Sequence, residues 1–241
     1  MTRALIGPKA WSASAVSRFI ACPRAFAFQY VEKAPRLDEM PLHVRAGTVG
    51  HAGLEAAYRE RVSARSHGPM IEHWDAAKAA IATAWDDEKM PEPHLSEGQW
   101  DRVHKAVADT LEDQTQSWEH VAGVEEKFYL RGDGAAVIGF VDLLLRPEED
   151  LAVIRDWKFR SSLPRPEDLA LDPQLCLYGE MVRRRHPWAK RVRAEHYMPP
   201  IAERIEDTAD WPCRNSSTYI VIWPSVICPR TALTATHAYA A

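Results

Sequence analysis

Residues 137–146 read Val-Ile-Gly-Phe-Val-Asp-Leu-Leu-Leu-Arg, and residues 151–159 read Leu-Ala-Val-Ile-Arg-Asp-Trp-Lys-Phe. Both stretches predict buried strands, yet each places an aspartate, Asp142 or Asp156, among apolar residues. A carboxylate is costly to bury there unless a metal ion or a cation compensates it. The side-chain period of two puts Asp156 and Lys158 on one face of the second strand. Two carboxylates and an amine at a sheet surface can hold a divalent metal ion and activate water.

These charged residues also allow a purely structural interpretation. Asp156 and Lys158 could form an ion pair on a half-exposed strand, which would contribute little to stability. Asp142 could pair with Arg155 or Arg160. Charges also become buried or perturbed in structural networks, so the two strands alone leave both interpretations open.

The composition indicates an ordinary globular protein. The chain has 241 residues, of which 46% are hydrophobic and 27% charged. That length fits one large domain, or a core domain with a helical elaboration. Four cysteines without regular spacing argue against a disulfide scaffold and fit a reducing compartment. We find no apolar stretch typical of a signal peptide or a membrane span, so we expect a cytoplasmic protein.

Positive charge is concentrated in one part of the chain. The formal net charge is −4, but residues 155–193 contain ten Lys or Arg against five Asp or Glu. A basic field beside a metal site would suit a polyanionic substrate such as DNA. Within this segment, the triplet Arg183-Arg184-Arg185 is a candidate DNA contact. It could equally be a solvated helix end, where cations complement the helix dipole.

Apolar spacing and turn signals predict a helical half followed by a sheet. The first helix has Ser12 or Ser14 as its cap and an interruption at Pro23. Gly47, Gly50 and Gly53 are poor helix formers, so we expect close packing to explain them. The predicted helices span 14–31, 46–64, 72–89, 96–119 and 166–186, and the predicted strands span 122–131, 136–146, 151–159 and 192–199.

The last thirty residues differ from the rest. Residues 212–241 contain only two formally charged side chains, Arg214 and Arg230. A strand is conceivable over 219–223, but the remainder has no clear periodicity. We therefore expect residues 1–211 to form one domain, with a helical part over about 11–120 and a sheet with its helix over about 121–200. We expect the tail to be poorly ordered or loosely docked.

Five short motifs follow one another along the chain. They are Ser12-Ala13-Ser14 with Cys22-Pro23-Arg24-Ala25-Phe26 and Tyr30, Gly47-Thr48-Val49-Gly50-His51, Gly139-Phe140-Val141-Asp142, Asp156-Trp157-Lys158, and Gln174-Leu175-Cys176-Leu177-Tyr178. In this order they resemble the RecB-like branch of the PD-(D/E)XK nuclease superfamily, which includes CRISPR-associated and phage exonucleases. The resemblance spans roughly residues 11–200. It implies an α/β restriction-endonuclease-like core, a mixed central sheet flanked by helices, with a helical N-terminal elaboration.

The resemblance implies a role for each residue of the candidate site. Asp142 and Asp156 would be carboxylate ligands of Mg²⁺ or Mn²⁺, and the main-chain carbonyl of Trp157 would complete part of the shell. His51 would add a nitrogen ligand, which suits Mn²⁺ better than Mg²⁺. Lys158 would orient the attacking water, help to deprotonate it and stabilise charge at the phosphate.

Further residues are expected to support this site. Gln174 and Tyr178 lie four apart and so share one helix face, which flanks the site in the family. Their default interpretation is an ordinary amphipathic face. A carboxylate on the first strand often supports the metal in relatives. Only one of Glu125 and Glu126 can face the site, and we expect Glu126 to be the supporting residue.

The cysteines do not predict an iron–sulfur cluster. Several relatives hold one with four cysteines, one of which corresponds to Cys22. Here Cys176 lies in the predicted helix, and Cys213 and Cys228 are fifteen apart, which lacks the spacing of a cluster. We therefore expect Cys22 to be a buried packing residue.

These observations favour a metal-dependent DNA nuclease, with exonuclease activity suggested by the resemblance and a role in recombination, repair or phage- or CRISPR-related DNA processing. The chain has no Gly-x-x-x-x-Gly-Lys-Ser/Thr motif, so unwinding would need a helicase or recombination partner. One alternative is a module that keeps the fold for binding DNA or protein. Another is a structural or regulatory metalloprotein in which the cysteines matter more than the aspartates.

Overall fold

A computed structural model describes residues 10–35, 39–114, 117–131, 136–160, 172–199 and 203–207. Its helices are α1 (Ala13–Ala21), α2 (Pro23–Phe26), α3 (Leu42–Ala64), α4 (Trp74–Asp87), α5 (Gln99–Asp113) and α6 (Pro173–Arg185). Its strands are β1 (Ala10–Trp11), β2 (Val121–Arg131), β3 (Ala136–Leu145), β4 (Leu151–Trp157), β5 (Arg191–Met198) and β6 (Glu203–Asp207). No helix in this part of the chain is long and apolar enough to cross a membrane.

The six strands form one mixed sheet in the order β1-β3-β4-β5-β6, with β2 also paired to β3. Strands β2, β3 and β4 form an antiparallel meander, whereas β4 and β5 are parallel. Strand β1 pairs with the start of β3, and β4 pairs with its end from Leu143 to Leu145. On the N-terminal side of Leu143, β3 therefore separates from β4, and this opening holds the candidate site.

Helices cover both faces of the sheet. Helices α3, α4 and α5 pack on one face through a core that includes Leu54, Ile81 and Val107 together with Leu143 and Trp157 of the sheet. Helix α6 covers the other face in a second core. The predicted mixed sheet flanked by helices, with a helical N-terminal elaboration, is confirmed.

The N-terminal helices follow the capping signals of the sequence. Ser12 caps α1 by accepting a hydrogen bond from the Ala15 N–H at 3.2 Å. The predicted break at Pro23 is confirmed, because a separate short helix starts there and continues as a π-helix over Ala27–Val31. The expectation of a buried Cys22 is wrong. Its side chain is exposed, and its Sγ accepts from the Ala25 N–H at the start of α2.

The glycines of α3 permit close packing, as predicted. A Cβ atom on Gly50 would lie 2.3 Å from the ring of Phe159. A Cβ atom on Gly53 would lie 2.8 Å from Ile81 of α4. Real Cβ atoms do not approach neighbours so closely, so these positions let α3 lie directly against the sheet and α4.

Several element boundaries differ from the prediction. Helix α3 starts at Leu42, four residues early, and α5 starts after Gly98, whose φ is 75°. Helix α5 ends at Asp113 because Gln114 turns into extended backbone and enters a buried hydrogen-bond network. Neither β1 nor β6 was predicted. The predicted helix over 166–186 is wrong at Asp172, whose backbone is extended and which caps α6, so that α6 starts at Pro173. Residues 161–171, the strand over 219–223 and the tail over 212–241 lie outside the described residues. The division into helical and sheet parts stays a prediction.

Candidate active site

The site begins where β3 and β4 separate. Asp142 immediately precedes Leu143, whose pairing with Arg155 is the last between β3 and β4 at this end. The Oδ2 atom of Asp142 accepts a hydrogen bond of 2.8 Å from the backbone N–H of Trp157. Asp142 and Asp156 are almost completely buried, with 7% and 1% of their surfaces exposed. The sheet thus holds two carboxylates side by side at its opening, with backbone hydrogen bonding to fix one of them.

His51, Glu125 and Asp142 form a compact group of potential metal ligands. One donor atom from each residue lies within 4.8 Å of the others. His51 projects from the middle of α3, and its Nδ1 lies 3.4 Å from Asp142 Oδ2. Oxygen and nitrogen donors bind Mg²⁺ or Mn²⁺ at roughly 2 Å, so donors at this spacing can share one ion.

A local change in β2 directs Glu125 into this group. Glu125 has a φ of 48°, in the left-handed region that non-glycine residues seldom adopt. Val124 packs in the core under α3, whereas Phe128 packs in the core under α6. Residues four apart in a regular strand lie on the same face, so the strand exchanges its two faces between these positions. Such backbone outliers cluster at functional sites.

Glu126 does not join the group that was predicted to include it. Its carboxylate lies 3.2 Å from His186 Nε2 and 4.0 Å from Arg185 Nε, at the end of α6. The physical reason is the left-handed residue at Glu125, which alters the alternation expected from a regular strand. The sequence pattern around Glu125 does not reveal its left-handed backbone, so Glu126 and not Glu125 was predicted as the supporting carboxylate.

Lys158 is held between the second aspartate and helix α6. Its Nζ lies 2.6 Å from Asp156 Oδ2 and donates to Gln174 Oε1 at 2.8 Å. The Gln174 Nε2 donates to Asp156 Oδ1 at 2.5 Å, and this nitrogen lies 3.1 Å from the Tyr178 hydroxyl. One amide therefore contacts both the acidic and the basic member of the pair, which fixes their relative position.

The sequence at the start of α6 explains where Gln174 lies. Asp172 caps the helix by accepting hydrogen bonds from the N–H groups of Gln174 at 2.7 Å and Leu175 at 3.3 Å. Pro173 occupies the first helical position, where its missing N–H has no consequence. Gln174 and Tyr178 then lie one turn apart on the face toward the site, as the sequence predicts.

Burial and like charges make the carboxylates of the site poor anions without a cation. The pKa of Asp142 is raised well above its usual range, first by burial and then by the charges of Asp156 and Glu125. Burial likewise raises the pKa of Glu125 and lowers that of His51. A neutral histidine beside two carboxyl groups is the protonation state that a metal ligand needs, and a divalent cation would compensate the carboxylates.

The structural pairings considered for Asp142 are not those in the structure. Arg155 is bound instead to Glu195 of β5 and to Gln114, in a buried network on the other side of β4. Arg160 contacts His196, with 3.4 Å between Nη2 and Nδ1. Lys158 and Asp156 do form an ion pair, but the Asp156 side chain is only 2% exposed, so it is not a pair on a half-exposed strand.

His196 of β5 lies beside the site and was not predicted from the sequence. The parallel register of β4 and β5 pairs it with Asp156. Its Nε2 lies 3.6 Å from Asp156 Oδ2 and 3.8 Å from Asp172 Oδ2. Because Arg160 faces the Nδ1 atom as a donor, the proton of a neutral ring belongs on Nε2, toward the two carboxylates.

The arginine triplet lies at the other end of α6 from Gln174. Arg184 pairs with Glu180 at 2.7 Å, and Arg185 lies 4.0 Å from Glu126. A helix rises about 1.5 Å per residue, so Arg183 lies roughly 14 Å along the axis from Gln174. The triplet is therefore beyond contact with Gln174 and Lys158.

The cysteines lie apart from this group within the described residues. Cys22 is exposed in the N-terminal helices, and Cys176 is half-buried in α6. Cys213 and Cys228 lie outside the described residues, so the expectation that the chain holds no iron–sulfur cluster stays a prediction.

Comparison with known proteins places this geometry in a family. A model of the PD-(D/E)XK nuclease superfamily matches residues 10–209. Among solved structures, the protein named "Putative exonuclease" from Eubacterium rectale is similar, with a TM-score of 0.59 and 11% identity over 83% of this chain and 73% of that one. At this identity the likeness shows the fold alone. No curated protein matches the chain.

Proposed function

The chain belongs to the PD-(D/E)XK nuclease superfamily, and we propose that it is a metal-dependent deoxyribonuclease that hydrolyses phosphodiester bonds from DNA ends. The observation that carries the proposal is the group of His51, Glu125 and Asp142 beside the Asp156–Lys158 pair. These side chains supply metal ligands and a cation at one opening of the sheet. Exonuclease activity is the finer part of the proposal and agrees with the name of the structural neighbour from Eubacterium rectale.

The donor set fits Mg²⁺ or Mn²⁺. His51, Glu125 and Asp142 would hold the ion, and Asp156 and the main-chain carbonyl of Trp157 would complete the set as in the family pattern. The nitrogen ligand favours Mn²⁺ over Mg²⁺. When bound, the ion would lower the pKa of water and stabilise negative charge on the phosphate oxygens.

Lys158 is the residue that we propose acts on the reacting groups. Its ammonium can donate a hydrogen bond to the attacking water and stabilise charge that develops on the phosphate. Gln174 and Asp156 position this ammonium, because each lies within 2.8 Å of it. Gln174 also donates a hydrogen bond to Asp156, which links the two positioning residues. Tyr178 steadies Gln174 in turn.

We further propose a role in recombination, repair or phage- or CRISPR-related DNA processing, as in the RecB-like branch. A helicase or recombination partner would supply any unwinding, since the chain has no phosphate-binding loop motif. A module that only binds DNA is the main competing function. The retention of every proposed ligand together with Lys158 argues against it.

The proposal is tested by digestion of linear and circular DNA with Mn²⁺ or Mg²⁺ and with EDTA. We expect the linear form to be degraded, the circular form to persist and EDTA to abolish the activity. Asp142→Ala and Asp156→Ala should each abolish cleavage, whereas Asp87→Ala, an exposed aspartate of α4, should not. Activity in EDTA or in either site variant would overturn the metal mechanism. Cleavage of circular DNA would make the enzyme an endonuclease, and DNA binding without cleavage under any metal would favour the binding module.

A further inference from the structure

A cavity of about 590 Å³ lies between α3, α5 and the residues that follow β4. It is separate from the group of metal ligands, and the mechanism above does not use it. Protein cavities of roughly 300–1,000 Å³ bind small molecules or single units of a polymer, so this one can accept one or two nucleotides. A DNA duplex is too wide to enter it, because the major groove, which is only part of the duplex, is already roughly 12 Å wide.

The cavity has an apolar floor. Ala46, Val103 and Ala106 are buried or nearly so, and Phe159 adds an aromatic ring. Phe159 is held in place because Gly50 leaves room for its ring. Flat apolar surfaces with an aromatic side chain are where proteins accept unpaired bases, since every base has a π-face.

The rim of the cavity is basic. Arg102 and Lys105 lie on consecutive turns of α5, and Arg160 and His43 lie opposite them. The carboxylate among the lining residues is Asp109, which lies 2.6 Å from Lys105. Lys105 is nevertheless 75% exposed, and its pair is of the exposed i,i+4 type that contributes little. The rim therefore keeps a net positive charge toward a polyanion.

The cavity adjoins the candidate active site. The ring of Phe159 lies 5.5 Å from the ring of His51, between centroids. Arg160 follows Lys158 by two residues, and Gly47 precedes His51 by about one helical turn. A strand whose phosphate lies at Lys158 could place its next nucleotide in the cavity.

We propose that this cavity binds an unpaired nucleotide of the DNA strand that is being cleaved, with the base on the Phe159 floor and its phosphate at Arg102 and Lys105. This inference rests on the proposed function and makes single-stranded DNA, or a frayed end of a duplex, the substrate that the site accepts. Duplex DNA would have to separate at its end before cleavage.

The first test measures the affinity of the full chain for a single-stranded 12-mer by fluorescence anisotropy, with Ca²⁺ in place of the catalytic metal and over a range of salt. Arg102→Ala/Lys105→Ala should lower the affinity about tenfold and reduce the salt slope by about 0.7, the value for one neutralised phosphate on a single strand. Lys78→Ala/Lys190→Ala removes the same charge from exposed positions outside the cavity and should leave both values near wild type. An unchanged slope in the first variant would overturn the inference.

A second variant tests the floor without removing charge. Gln99 lines the cavity at the start of α5, so Gln99→Trp would fill it from the rim. Wild type should bind the normal 12-mer at least about fivefold more tightly than an abasic 12-mer, because stacking on an aromatic floor contributes to affinity. Gln99→Trp should bring that ratio close to one. A ratio that stays at the wild-type value would show that no base enters the cavity.

These measurements separate this inference from the proposed function, because neither requires cleavage. If the protein never cleaves DNA but the two cavity variants lose affinity as described, the cavity binds DNA and the nuclease proposal fails. If the protein cleaves DNA and both variants bind like wild type, the nuclease proposal stands and the cavity inference fails.

Discussion

Lys158 has two interactions that serve different purposes. Its contact with Asp156 balances a buried carboxylate, and its hydrogen bond with Gln174 Oε1 fixes its direction. About a quarter of the side chain remains exposed, so the ammonium can still meet water or a phosphate. In the proposed mechanism its ammonium acts mainly on the transition state, where charge develops, and less on the bound substrate.

Lys158→Ala should therefore lose cleavage but keep DNA binding. Loss of one group that stabilises developing charge costs about a hundredfold or more in rate. DNA affinity in Ca²⁺ should change little, because the other basic residues remain. The measurement compares anisotropy in Ca²⁺ with cleavage rates in Mn²⁺ for wild type and variant. Cleavage at the wild-type rate would exclude Asp156-Trp157-Lys158 as the catalytic motif.

The raised pKa of Asp142 also predicts a pH dependence for the stability of the metal-free protein. A carboxyl group whose pKa is higher in the folded than in the unfolded state stabilises the fold at low pH, and this contribution is lost as the pH rises through the folded value. Without metal, Asp142→Asn should raise the melting temperature relative to wild type at pH 7.5 and have a smaller effect at pH 4.

Thermal melting in EDTA at the two pH values measures this difference. Mn²⁺ should reverse the order at pH 7.5, because the ion stabilises the wild-type carboxylate and binds the asparagine variant weakly. His51 contributes with the opposite sign, since burial lowers its pKa, but it is present in both proteins. Equal melting temperatures of wild type and Asp142→Asn at both pH values would mean that the pKa of Asp142 is not raised in the folded protein.

At the scale of elements, a buried polar network joins β4, β5 and the helices. Arg155 binds Glu195 on the next strand and Gln114 after α5, and Gln114 also accepts from the Tyr58 hydroxyl of α3 at 3.3 Å. Both members of the ion pair are almost completely buried. This network connects the end of the helical part to the middle of the sheet, just behind the site.

Glu195→Ala should destabilise the protein strongly, because it leaves the Arg155 guanidinium buried without its carboxylate. Breaking a buried pair in this way costs about 3–5 kcal/mol. Urea unfolding of wild type and variant measures the loss. Glu180→Ala is the matched control, since it removes the half-buried partner of the exposed Arg184 and should cost under about 1 kcal/mol. Similar losses in both variants would contradict the assigned importance of the network.

The strands and helices of this fold follow from the sequence where local rules decide them. Asp156 and Lys158 share a face because a strand has a period of two, and Ser12 and Pro23 mark helix boundaries by capping chemistry and by the missing N–H of proline. The glycines of α3 indicated close packing because glycine is a poor helix former and needs another reason to lie within a helix.

Three features depend on tertiary contacts and could not be predicted from local sequence rules. The left-handed Glu125 reverses which carboxylate of β2 reaches the site. His196 meets Asp156 only through the parallel register of β4 and β5, which residues far apart in sequence determine. Strand β6 is a short polar segment, Glu-Arg-Ile-Glu-Asp, that gains its conformation from pairing with β5.

At the scale of the whole molecule, the net charge of −4 conceals a separation of charge. Positive side chains lie at the rim of the cavity and at the end of α6, whereas the carboxylates of the site lie deep in the sheet. An overall acidic protein can bind DNA when its basic groups are gathered along one path. The arginine triplet would be the distant end of such a path.

Arg183→Ala/Arg184→Ala/Arg185→Ala should weaken binding of a long duplex or strand and flatten its salt dependence. Each lost phosphate contact reduces the slope by about 0.7–0.9. A short oligonucleotide that spans only the site should bind with unchanged affinity, since the triplet lies roughly 14 Å from Gln174 along the helix. Anisotropy with DNA of two lengths measures both effects. A slope that is unchanged for the long DNA would mean that the triplet is only a solvated helix end.

Glu125 also sets a limit on how far this protein could be made more robust. Its backbone occupies a conformation that costs a residue with a Cβ atom about 1–2 kcal/mol and that glycine adopts without this steric cost. Selection for thermal stability alone would favour removal of this steric cost by Glu125→Gly, and the resulting protein would lack one of the proposed metal ligands. The proposed metal ligand therefore comes with a less stable backbone at Glu125, and substitutions meant to raise the thermal stability must leave this residue unchanged.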